Sequence, residues 1–299
     1  MKNIRRSCIF FLGLGLLVSL PKAIAHPQHC DREEFATRYV TSYLQATPLT
    51  EREIERTIAH LETLTEAECQ QRGAIALLRV VMGNPIGYKV AATSKKVQEI
   101  VGSDRPLVGV LLAEMLLHNG ATIAVNSGGS LIYEVDLLVT VGDERINEAE
   151  TIADVAAHLQ NIIPFIEVPD LMLPRGSSLS PELLVAMNVG VRWGVKGEEI
   201  PVQATPEFIE ALAQMTVTLE NASGEILTEA QGRDILGHPF NSVLFLVKHL
   251  RDRGKRLKAG DVISLGTFGR FHFAASGEWG IARYQGLPGG DRTVEVFFE

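Results

Sequence analysis

Glu134 and Asp136 stand two apart in the stretch LIYEVDLLVT, residues 131 to 140, which is otherwise apolar up to its final threonine. If that stretch is a strand, alternation places Ile132, Glu134, Asp136, Leu138 and Thr140 on one face. The two carboxylates then sit about 7 Å apart. They repel each other unless donors or a cation compensate, and hard divalent cations take oxygen ligands from such pairs. A solvated sheet face is the plainer reading. A third acid, Glu167, falls inside the apolar run of NIIPFIEVPD, residues 161 to 170, where an unpaired charge is costly. Its alternative is a surface acid at the strand end, near Pro169. Lys89, in IGYKVAA at 86 to 92, either carries its ammonium out to solvent or, beside metal-bound carboxylates, gives and takes a proton.

The elements that must position these groups come in two textures. Residues 26–83 read as a helical segment: REEFATRYVTSYLQA places Phe35, Tyr39, Val40 and Tyr43 at helical spacing before Pro48. A Thr50–Glu53 capping box opens the next helix, and EAECQQRGAIALLRVVM carries a third to Gly83. From Asn84 onward short β-branched runs alternate with Gly, Asn and Asp, with helices expected at TSKKVQEIVG, TIADVAAHLQNI and HPFNSVLFLVKHLRDRG. This predicts an α+β body over 84–299 built on mixed sheet, packed against the helical segment. His238 is expected to start and cap its helix. Gly260-Asp261 reads as a turn feeding a strand, and LPGGDRTVEVFFE as a hairpin and closing strand.

Before all of this stands MKNIRRSCIFFLGLGLLVSLPKAIA, with Lys2, Arg5 and Arg6, an apolar stretch from Cys8 to Leu20, and an Ala23-Ile24-Ala25 cleavage pattern. It reads as a signal peptide over 1–25, cut after Ala25, which predicts a periplasmic or secreted protein. The apolar stretch is shorter than the ~20 residues a membrane span needs, so no stable insertion is expected. Cleavage removes four cations and no acids, leaving 24 cations against 36 acids, a net charge of −12. That surface argues against nucleic acid or an acidic membrane as partner. Cys30 and Cys69 remain; they pair in one disulfide, stay as two thiols, or join His26 or His29 at a metal site. Asn221-Ala222-Ser223 matches a glycosylation triplet that arises often by chance.

In the order IGYKVAATSKKVQEIVGSDRPLVGVLL, YEVDLLVTV, IPFIEVPD, GHPFNSVLFLVKHLRDRGKRLKAGDVISLGT, the chain from about residue 83 to its end resembles the 2-keto-4-pentenoate hydratase and 2-oxo-hepta-3-ene-1,7-dioate hydratase family of the fumarylacetoacetate hydrolase superfamily. The resemblance implies a fumarylacetoacetate hydrolase C-terminal-like mixed β-roll, a Mg2+ or Mn2+ cofactor and a homo-oligomer. It implies a small unsaturated 2-oxo acid as substrate, held to the metal through its carboxylate and keto oxygens. The family's metal carboxylates fall on Glu134, Asp136 and Glu167, and its catalytic lysine on Lys89. Asn188, Gly266 and Thr267 become candidates for substrate contact.

Two departures qualify this. Leu107 stands where these hydratases carry an acid after the proline, and AMNVGVRWGVKG, matching a run that lines the family's site, keeps Asn188 and Gly190 but lacks the serines and inserts Arg192 and Trp193, so altered substrate contacts are expected. The resemblance makes hydration the first expectation. Decarboxylation or C–C hydrolysis on the same scaffold is the second, and a non-catalytic exported binder of metal and oxo acid is the third.

Overall fold

The computed structural model describes residues 34–299; the segment 1–25, its cleavage site, His26, His29 and Cys30 lie outside the described residues. Three helices come first, α1 (Glu34–Leu44), α2 (Glu51–Ile58) and α3 (Leu64–Met82). Capping boxes open the second and third: Thr50 and Thr63 accept from the backbone N–H of Glu53 and Glu66, whose carboxylates accept in return. Gly83, at φ 77°, ends α3 and releases the chain into the sheet.

The body then runs β1 (Pro85–Ala91), α4 (Lys95–Val101), β2 (Leu107–Leu112), β3 (Leu116–His118), β4 (Ala121–Ile123), β5 (Ile132–Val141), α5 (Ile152–His158) and β6 (Leu159–Val168). It continues with α6 (Pro181–Ala186), β7 (Trp193–Lys196), β8 (Ile200–Pro201), α7 (Pro206–Gln214), β9 (Thr216–Glu220), β10 (Ile226–Gln231) and α8 (Phe240–Arg251). Four strands close it: β11 (Val262–Ser264), β12 (Phe268–Phe273), β13 (Trp279–Gln285) and β14 (Arg292–Phe298).

Two helices were not anticipated. Both carry a start signal, Ser180 before Pro181 and Thr205 before Pro206, each side chain accepting a backbone N–H of the first turn. The helix expected over TIADVAAHLQNI stops at His158, because Leu159 onward is recruited into β6 between β5 and β7. Strand pairing overrides local preference there. The N-cap of α8 is Pro239, one residue past the expected His238, whose Nδ1 still accepts from the Phe240 N–H and whose Nε2 meets the Ile209 carbonyl.

Among the described residues the strands form two sheets. The larger is ordered β2-β1-β11-β5-β6-β7-β3, with β12 added on β5 and β8 on β6; the smaller is β10-β9-β13-β14-β4. Parallel pairs (β1 with β11, β3 with β7, β4 with β14) mix with antiparallel ones. The large sheet has two different faces. Tyr133, Val135, Leu137 and Val139 of β5 pack with the small sheet and with α7 and α8. Leu138, Ile163, Phe165, Leu107 and Leu111 pack instead with α1 to α3 and α6. Residues 34–83 therefore share a core with the body, and the described residues fall within one compact unit.

Tyr284 of the small sheet pins the centre. Its hydroxyl reaches the carbonyls of Asp136 and Phe165, which lie directly opposite each other on β5 and β6, and accepts from the Phe165 N–H at 3.0 Å. Tyr284→Phe is expected to destabilise the fold by about 1–3 kcal/mol, since it leaves buried backbone groups unpaired. Urea denaturation measures it, and an unchanged midpoint would show that the two strands do not depend on that hydroxyl.

Candidate active site

Register builds the site. Glu134 of β5 lies opposite Glu167 of β6, Asp136 lies opposite Phe165, and Lys89 of β1 lies beside Ser264 of β11. Paired residues share a face, so the two-residue period that joins Glu134 to Asp136 also sets Glu167 beside them. β11 runs between β1 and β5, which brings Lys89 to the same face. That face is the one covered by the helical layer, and all four side chains are buried.

Lys89 does not reach solvent. Its Nζ stands 2.9 Å from Glu167 Oε2 and 4.0 Å from Glu134 Oε1, and donates to the Val189 carbonyl at 3.3 Å. The contact with Glu167 is an ion pair set off hydrogen-bond geometry, and neither Glu167 oxygen receives a hydrogen bond. Burial works to lower the Lys89 pKa, but the Glu167 and Glu134 charges together outweigh it and hold it above the usual lysine value. Asp136 is held differently. Its carboxylate accepts from the Ser264 hydroxyl, the Leu137 N–H and the Gly266 N–H, the last at 2.9 Å.

Three acids and one ammonium share this interior, a formal charge of −2 with every group ionised. Burial accordingly pushes Asp136 up to about 6, against the hydrogen bonds from Ser264 and Leu137. Burial also drives Glu167 well above the carboxylate range, with Lys89 opposing and Glu134 reinforcing. As they stand, the acids are not gathered about one point: among the described residues no group of three His, Cys, Asp or Glu side chains is placed to hold an ion. The donor set still suits one. Hard oxygens, an excess of two negative charges and a buried carboxylate with no donors are what a divalent cation satisfies.

Three consecutive residues, Asn188, Val189 and Gly190, adopt left-handed φ of 55°, 54° and 69°. For a β-branched valine that is strained backbone. The Asn188 amide holds the turn, accepting from the Val110 N–H (2.8 Å) and donating to the Val110 carbonyl (2.9 Å). Gly109 on β2 permits the approach, because a Cβ there would lie 2.9 Å from the Asn188 carbonyl. The turn aims the Val189 carbonyl at Lys89. Asn188, a candidate for substrate contact, thus spends its amide on this turn, and Val189 lines the cavity in its place. Sequence reading missed Gln71, whose Nε2 donates to the Val108 carbonyl (2.8 Å) and to Asn188 Oδ1 (3.2 Å). Its signal was legible: Gln71 interrupts the buried stripe of α3 formed by Ala67, Ala74, Leu78 and Met82.

Lys89 and Glu134 open onto a cavity of about 680 Å³, with Thr93, Thr228 and Thr267 also in its wall. Leu107 lines it too. It lies opposite Ala91, two residues along the same face from Lys89. Gly266 acts through its N–H on Asp136. Arg192 turns away from the cavity to bond Asp170 and the Tyr43 carbonyl.

No protein-family profile matches the chain. Curated proteins do. It is 29% identical over 197 residues to 2-keto-4-pentenoate hydratase 1 of Dechloromonas aromatica, covering 64% of this chain and 71% of that protein. It is 28% identical over 208 residues to 4-oxalocrotonate decarboxylase of Pseudomonas putida, covering 69% and 76%. Among solved structures, 4-oxalocrotonate decarboxylase from Pseudomonas putida G7, complexed with magnesium and adipate, superposes with TM-score 0.77 at 22% identity, over 89% of this chain and 97% of that one. Fumarylpyruvate hydrolase from Pseudomonas aeruginosa, in complex with Mn2+ and pyruvate, superposes with TM-score 0.52 at 15% identity, over 71% and 89%. The chain shares the fold of these two solved enzymes and is similar in sequence to 2-keto-4-pentenoate hydratases. Lys89, Glu134 and Glu167 are neighbours in space although 78 residues separate the first from the last.

Proposed function

We propose that the protein is a divalent-metal-dependent hydro-lyase acting on a small unsaturated 2-oxo acid of the 2-keto-4-pentenoate type. One observation carries the reading: a buried lysine held between Glu134 and Glu167, opening with Glu134 onto a cavity, in a cluster of three carboxyl groups and one amine. The named relatives, hydratases and a decarboxylase, support an oxo-acid enzyme of this kind.

Glu134, Glu167 and Asp136 would hold the ion, Mg2+ or Mn2+. When bound it supplies positive charge against the substrate's 2-oxo oxygen. The chain's own groups do the proton work. The dienol form of such a substrate becomes a conjugated ketone by taking a proton at its terminal carbon and giving up its hydroxyl proton. Water then adds across the remaining double bond, its oxygen to one carbon while the proton released by the enol hydroxyl goes to the other. Lys89 Nζ, charged and aimed by Val189 and Glu167, gives the first proton and recovers one from the adding water. Leu107 removes the acid that the resemblance leads one to expect, which leaves Glu134 as the carboxylate in the cavity wall nearest Lys89. The apolar walls limit the water that reaches the reacting carbons.

Loss of CO2 or C–C hydrolysis would use the same stabilised charge, and the likeness to a decarboxylase keeps that second reading in place. A non-catalytic binder is the third reading, favoured by Leu107. Export to the periplasm or beyond is part of the proposal. Its support is the 1–25 segment together with Cys69, which is disulfide-bonded; such bonds persist in oxidising compartments. We further propose a homo-oligomer, with Leu77, Val80 and Val81 of α3 exposed as an apolar stripe.

The test is thermal unfolding of the mature chain with and without Mg2+ or Mn2+, beside Glu134→Ala. Native-state binding raises the melting point. A metal-dependent rise that Glu134→Ala abolishes is expected, followed by product analysis to separate hydration from CO2 release. No rise in either protein would leave the metal reading without support.

A further inference from the structure

Polarity in the 680 Å³ cavity is one-sided. Its buried surface holds four polar side chains, Lys89, Glu134, Thr93 and Thr228, and Lys89 is the single cation among them. Leu107, Val101, Leu184 and Val189 are the buried apolar wall, and Leu171 and Leu179 continue it, half-buried. Lys96 and Arg270 also border the cavity, but both are exposed at its mouth, where Glu229 and Asp234 stand with them. The Arg270 guanidinium is moreover engaged by the Leu227 carbonyl.

Register ties this wall to the chemistry. Leu107 pairs with Ala91 as Gly109 pairs with Lys89, so Leu107 projects on the lysine's own face one step along the strand pair. A substrate whose reacting end meets Lys89 and Glu134 therefore runs its next carbons over leucine and valine. At about 680 Å³ the cavity lies in the range of pockets that take drug-sized ligands. A five-carbon 2-oxo acid, with eight non-hydrogen atoms, leaves much of it unfilled.

We propose that the substrate of this site is a 2-oxo monoacid with an extended apolar tail, and that the Leu107–Leu184–Val189 wall selects it against dicarboxylates. The inference rests on the reading of Lys89 and Glu134 as a 2-oxo-acid site. A second carboxylate lying on that wall would lose water against leucine and valine, whose side chains carry no donor or charge to replace it. An alkyl or aryl tail gains from the same wall, by roughly fourfold in affinity for each buried methylene.

Saturated 2-oxo acids test this as ligands that present no double bond for hydration. The mature chain in Mg2+ is titrated calorimetrically with pyruvate, 2-oxohexanoate, 2-oxooctanoate and the matched dioates 2-oxohexanedioate and 2-oxooctanedioate. Affinity should rise along the monoacid series, and each dioate should bind on the order of tenfold or more weakly than its monoacid. Leu107→Ala should weaken 2-oxooctanoate while leaving pyruvate unchanged, a split that a loss of fold would not produce. Val189→Ala, checked in parallel by melting, serves if Leu107→Ala fails to fold. Dioates binding as well as or better than their monoacids would overturn the proposal and leave the 2-oxo-acid reading standing. A flat monoacid series would overturn it in the same way. If no 2-oxo acid binds, pyruvate included, the site reading itself fails and this inference fails with it.

Discussion

Lys89→Met is expected to lower turnover of 2-oxo acids by about 10²–10⁴-fold, the range a positioned proton donor contributes. In metal-free protein it is also expected to cost about 3–5 kcal/mol of stability, because it breaks a buried ion pair by removing one partner. The cause is local. Among the described residues Lys89 is the one cation within 4.0 Å of Glu134 and Glu167, and Met fills much of its volume while supplying no charge. A divalent cation bound by the same acids would compensate them in its place, so the stability deficit should shrink on adding Mg2+ while the turnover deficit persists. Denaturation in chelator and in Mg2+, with initial rates on an unsaturated 2-oxo acid, separates the two. Turnover within threefold of the parent would remove Lys89 from the proton path. A variant that still binds metal but turns nothing over excludes the reading of the protein as a binder, provided the parent is active.

Much of this site was legible in the chain because strand geometry is periodic. The spacing of Glu134 and Asp136 fixed a common face for them, and β5 carries both as expected. What spacing could not supply is which strands become neighbours. Glu167 meets Glu134, and Lys89 meets both, only through the register of β5 with β6 and the insertion of β11 between β1 and β5. Nor could it distinguish the two acids of the pair. Asp136 is committed to three donors while Glu134 faces the cavity, a difference set by Ser264 and Gly266 some 130 residues away. The Asn188–Gly190 turn was read from the resemblance as part of the substrate's surroundings. Its left-handed backbone, and the Gln71 amide that reaches it from the helical layer, depend on tertiary packing that no local pattern encodes. α6 and α7 were a different kind of miss, since Ser-Pro and Thr-Pro stand at their starts in plain view.

Arg192 was placed by the resemblance among residues that alter substrate contacts; its surroundings assign it to the architecture instead. Its guanidinium donates to Asp170 Oδ2 (3.1 Å), to the Tyr43 carbonyl (3.0 Å) and to the Ser127 carbonyl, and lies over the Tyr43 ring 4.1 Å from the centroid. Tyr43 belongs to α1, and Asp170 follows β6, the strand that carries Glu167, so one side chain fastens the helical layer to the end of that strand. Arg192→Met should therefore destabilise the protein by about 3–5 kcal/mol, the cost of breaking a buried pair from one side. The lower end is expected, because Asp170 keeps the N–H groups of Gly129, Ser130 and Met172 as donors. Arg192→Lys should recover only part of the loss. A single ammonium cannot reach three acceptors in a plane and stack on Tyr43 at once. Urea midpoints measure both variants, and the affinity of the folded fraction for 2-oxooctanoate should not change. Unchanged stability with altered ligand affinity would return Arg192 to the substrate's surroundings and loosen the assignment of the helical layer as a fixed cover over Lys89.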